Sequence, residues 1–166
     1  MYSNHAKIFI NILLPLLEHR GESSKVFKLL KEWDCCYGFE SKGAPLFELF
    51  YDALRVEVFG RSGAEEKDLG AGLIKHLSEQ AGVFIDFYQN FDHVILNPNS
   101  VWYENNTQEE AFLSAFDAAK KADKGTSRKH INTITFTNML FQGKLPGFMG
   151  FDSKKVSLMG GRATPH

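Results

Sequence analysis

The residue pattern of this chain switches at Gly125, and that switch limits the folds open to it. Upstream, apolar residues recur at helical spacing between recognisable caps. Downstream, "HINTITFTNMLFQGKLPGFMGFDSKKVSLMGG" is rich in β-branched residues and glycine and short of helix signals. Runs of helix followed by runs of strand predict an α+β class. The expected organisation is a helical region over 1–125, its helices layered from about 5 to 124, and a β-rich segment of two or three strands over 126–166.

Within the helical region the signals are local and specific. Ile8, Ile12, Leu13, Leu16 and Leu17 share one face of a first helix, which Pro15 should kink or else mark in its early turns. Ser23 or Ser24 can cap a second helix carrying Val26, Phe27, Leu29, Leu30 and Trp33, with lysines on its other side. "DCCYGFESKG" reads as a connection. A longer helix should begin near Ala44, with Pro45 in its first turn and Gly60 as its stop, and bury Leu46, Phe47, Phe50, Leu54 and Val58. The stretch 63–82 opens with acids suited to a helix N-terminus, although Gly70 and Gly72 weaken its middle. Residues 83–104 leave two readings: "VFIDFYQNF" suits strand or helix, and "LNPNSVWYENNT" reads as a loop. The clearest element follows. Thr107 and Glu110 stand at capping-box spacing, acids come early, lysines come late, and Gly125 ends the helix.

Composition narrows the function classes. The 19 basic and 20 acidic residues are spread along the chain, so no strong field draws it to nucleic acid or an anionic membrane. The apolar run Ile8–Leu17 is too short to span a bilayer and lacks the flanks of a signal peptide. Fifteen phenylalanines supply core volume. The adjacent Cys35 and Cys36 are expected as two unpaired thiols, because bridging neighbours strains the peptide between them.

Candidate chemistry is thin. No two of His5, His19, His76, His93, His130 and His166 stand three to five residues apart, and no HExxH or CxxC exists, so no metal is expected. Nor does the chain carry a nucleophile elbow, a Walker loop or a dinucleotide fingerprint, and no cofactor is expected. Asp34, after Trp33, reads first as a cap for backbone N–H groups and second as a catalytic acid. Glu65-Glu66 reads as compensation of a helix dipole, and His76 as a solvated histidine. Asn105-Asn106-Thr107 matches a glycosylation sequon, yet Thr107 already serves as a cap. Arg162 suits either a carboxylate ligand or a loop anchor. His130, with Asp152 or a serine, is the remaining candidate for a small independent enzyme.

Three ordered stretches resemble the penicillin acylase (penicillin amidase) family of N-terminal-nucleophile hydrolases. "YSNHAKIFINILLPLL" is similar to that family's Ser-x-x-Ala helix leading to Pro-Leu-Leu. "LLKEWDCCYGFESKGAPLFELFYDAL" resembles its Leu-x-x-Trp-Asp segment, where a serine then precedes an Ala-x-x-Phe helix. Trp33, Asp34, Ser41 and Phe47 occupy those places. "KLPGFMGFDSKKVSLMGGRATPH" is similar to a late β-subunit segment that runs on through His-Gln-Gly. One departure stands out: Cys35-Cys36 follows Trp-Asp where a glycine is common in the family.

The resemblance implies a parent that cuts itself into α and β subunits and attacks an amide carbonyl with a newly exposed N-terminal serine. The serine's own amine acts as base, and an asparagine and backbone N–H groups hold the oxyanion. Implied substrates are side-chain amides of β-lactams and related N-acyl compounds, and members are often exported to the periplasm or beyond. In the family order the nucleophile, the oxyanion asparagine and the calcium ligands of some members stand upstream of the Trp-Asp segment. Ser3 matches a helix position, so no catalytic, cofactor or metal residue is carried onto this chain. The expectation is an internal β-subunit fragment, inactive alone, with Arg162 and His166 as loop residues of an interrupted segment. Its expected partners are the remaining segments of the parent, with self-association through an exposed apolar face. An autonomous helical interaction domain is the alternative.

Overall fold

A computed structural model describes residues 2–60, 86–103, 106–123, 132–134 and 156–158. Over these residues the chain is mostly helical. Five α-helices occur in order: α1 (Asn4–His19), α2 (Lys25–Lys31), α3 (Gly43–Phe59), α4 (Asp86–Leu96) and α5 (Gln108–Ala122), with a 3-10 turn at Val101–Tyr103 before α5. Two three-residue strands, β1 (Asn132–Ile134) and β2 (Val156–Leu158), pair antiparallel with Thr133 opposite Ser157. The rest of the β-rich segment lies outside the described residues, as does the helix expected over 63–82.

The helix starts follow from their caps. Ser3 Oγ accepts the Ala6 N–H at 3.1 Å and opens α1; Ser24 Oγ accepts Phe27 N–H at 3.3 Å and opens α2. Ser41 Oγ accepts Ala44 N–H at 3.2 Å at the start of α3, where Pro45 sits in the first turn. At α5 the full capping box forms, with Thr107 and Glu110 exchanging bonds at 2.9 and 3.1 Å. Helix α3 stops at Gly60, and α5 stops at Asp123, before Gly125 is reached. Helix α1 runs unbroken past Pro15, which lies inside it and supplies no N–H to the Asn11 carbonyl four residues back. Of the two readings of 83–104, helix prevails at Asp86–Leu96.

Helix α3 forms the centre of the layer. Its buried residues include Phe47, Phe50, Tyr51, Leu54 and Val58, and it lies closest to α5. Ala111, Ala115 and Ala119 recur every fourth residue along the buried face of α5, where small side chains let two helices approach. Phe112 fills the seam, stacked on Phe9 of α1 at 6.1 Å and edge-on to Phe50 at 5.8 Å. Phe9, Phe47, Phe50, Phe112 and Phe116 are all fully buried, each stabilising the fold by about 2–3 kcal/mol relative to exposure. Five of the fifteen phenylalanines thus form one aromatic core joining α1, α3 and α5.

Candidate functional site

The segment between α2 and α3, which holds Trp33 and Asp34, is a closed turn built from its own polar atoms. The Trp33 indole N–H donates to the Cys36 carbonyl at 3.0 Å. Asp34 Oδ1 accepts the Cys36 N–H at 2.9 Å, so this carboxylate caps the turn, as expected of it. Between them Cys35 adopts a left-handed backbone, φ +59°. Its buried side chain points into the core, and its carbonyl accepts Ser3 N–H at 2.9 Å. Tyr2 and Cys36 form an antiparallel bridge beside that bond. The Trp-Asp turn and the start of α1 are therefore stitched together.

Around the indole the packing is aromatic and tight. Tyr37 lies edge-on at 5.5 Å and Phe47 tilts at 5.7 Å. On another side the backbone of Gly43 lies so close that a Cβ there would overlap Trp33 Cβ, Cγ and Cδ1. The Tyr37 hydroxyl donates to Glu48 at 2.8 Å. Burial, and then the neighbouring Glu48 carboxylate, push that phenol well above its ordinary range. Beside the turn an open groove of about 470 Å³ is lined by Trp33, Asp34, Cys36, Ser41 and Gly43 among others.

The thiols are not poised for nucleophilic work. Both cysteines are free. Desolvation raises the Cys35 thiol, and desolvation followed by the hydrogen bond and charge of Asp34 raises Cys36. Both changes favour the unreactive protonated form at neutral pH.

A second cluster escaped the sequence reading. His5 Nε2 lies 3.0 Å from Asp92 Oδ2, and the Tyr51 hydroxyl donates to Asp92 Oδ1 at 2.6 Å. This joins α1, α3 and α4 beneath the rings of Phe9 and Phe47, with His5 edge-on to Tyr51 at 4.8 Å. The sequence offers no signal for it, because 87 residues separate His5 from Asp92. A third cluster ties α1 to α5. Arg20 forks onto Asp117 at 2.9 and 3.0 Å, and Glu22 accepts from Arg20 and from Lys120. Arg20 and Lys120 also flank the Phe116 ring at 5.7 and 5.5 Å.

At the far end, the Ile95 carbonyl in the last turn of α4 accepts both the Tyr103 hydroxyl, at 2.7 Å, and the Gln108 side chain, at 2.8 Å. Burial lifts the Tyr103 phenol to about 12. His19 and His93 are exposed helix residues. His76, His130, Asp152, Arg162, His166, Glu65-Glu66 and Asn105 lie outside the described residues. Among the described residues, no three His, Cys, Asp or Glu side chains gather to hold a metal, and no helix is long and apolar enough to cross a membrane.

Ser-x-x-Ala caps open both α1 and α3 on this aromatic helical layer. The chain belongs to the penicillin amidase family: the family model matches residues 1–166. Membership points to the hydrolase class, a penicillin-acylase-like amidohydrolase. No curated protein and no solved structure compared with the chain matches it.

Proposed function

We propose that this chain is a β-subunit segment of a penicillin-acylase-like amidohydrolase, the helical layer of an N-terminal-nucleophile hydrolase with the strands that follow it. The family match over residues 1–166 carries this reading. In the parent, an N-terminal serine attacks the side-chain amide carbonyl of a β-lactam or related N-acyl compound. Its α-amine takes the hydroxyl proton and returns it to the leaving amine, and water then hydrolyses the acyl-enzyme. The remaining α and β segments are the partners of this layer, and an apolar face left uncovered without them drives self-association.

The polypeptide alone is inactive. The resemblance puts the nucleophile upstream of the Trp-Asp segment, while Ser3, Ser24 and Ser41 accept backbone N–H groups at helix starts. Incubation with a chromogenic phenylacetyl anilide should give no turnover. Hydrolysis that disappears when one of the chain's own serines is replaced by alanine would overturn the proposal.

An autonomous helical interaction domain is the second reading, favoured by the aromatic core that α1, α3 and α5 share. A polypeptide of residues 1–125 that unfolds in one cooperative transition supports it; one that fails to fold counts against it.

A further inference from the structure

We draw no further inference here: the strongest candidate, the open groove of about 470 Å³ between the end of α2 and the start of α3, presents Asp34 and Ser41 already bonded to backbone N–H groups of the fold, and nothing in the structure shows what covers it.

Discussion

The indole of Trp33 rests on the backbone of Gly43, held there by its own N–H bond to the Cys36 carbonyl at 3.0 Å. Ring and glycine lie at opposite ends of the connection between α2 and α3, so their contact sets where α3 begins. The indole also touches Tyr37 and Phe47, so a displaced ring could move only toward the open groove that it lines.

Gly43→Ala should therefore destabilise the protein despite alanine's better helix propensity. A Cβ would overlap three atoms of Trp33, and the overpacking costs about 1–3 kcal/mol against a propensity gain of at most about 1 kcal/mol. Urea unfolding measures the net effect. In a Trp102→Phe background, the fluorescence of Trp33 should move to the red as the ring is displaced. An unchanged midpoint and spectrum would show that the turn relaxes freely.

Cys35 gives a paired prediction. At φ +59° a side chain costs about 1 kcal/mol or more, yet this one is buried and contributes a similar amount by burial. Cys35→Gly should thus change stability by less than about 1 kcal/mol. Cys35→Val keeps an apolar side chain but adds a branch where left-handed backbone tolerates it least, and should cost about 2 kcal/mol or more. Equal losses in the two variants would argue that packing alone governs the position.

The Tyr51–Asp92–His5 cluster should behave as one unit. Tyr51→Phe removes a charge-assisted bond of 2.6 Å and should cost about 1.5–3 kcal/mol. In an Asp92→Ala background the same change should cost markedly less, because its acceptor is already gone. The double-mutant cycle, read from urea unfolding, would show no coupling if the residues acted independently.

Glu22 predicts the acid limb of the stability curve. Its bond to Lys120, and then to the Ser24 backbone, outweighs burial and holds its carboxyl at about 2, below the ordinary 4.5. A carboxyl depressed in the folded state stabilises the fold above the unfolded value. That contribution is lost as pH falls from about 4.5 toward about 2. Glu22→Gln should lower the urea midpoint at pH 7, and the gap to the parent protein should close across that window. A gap that stays constant down to pH 2 would remove Glu22 from the account.

What the residues disclosed in advance was mostly local. The Ser24 cap, the Thr107–Glu110 box, the Pro45 first turn and the Gly60 stop each need only three or four neighbouring residues, and each formed. Asp34 as a turn cap is the same kind of signal. The 83–104 stretch stayed open because its aromatic and β-branched residues suit either element, and a short apolar run has no period of its own to decide. Burial of Phe91 and Ile95, four residues apart against the core, decides it as helix. His5–Asp92, Arg20–Asp117 and Tyr37–Glu48 depend on how helices are laid side by side, and nothing in their immediate sequence marks them. The glycine usual after Trp-Asp in the family resemblance was legible only as a departure. The left-handed Cys35 backbone supplies its reason, since glycine enters that region at no steric cost.

The clasp between Arg20 and Asp117 spans 97 residues of chain. During synthesis at about 5–20 residues per second, α1 would emerge about 5–20 s before α5 exists to receive it. Throughout that wait Phe9, Leu13 and Leu17 lack part of their eventual cover. Until α5 is made the chain is vulnerable at α1, and a chaperone acting on this protein should find a binding site there.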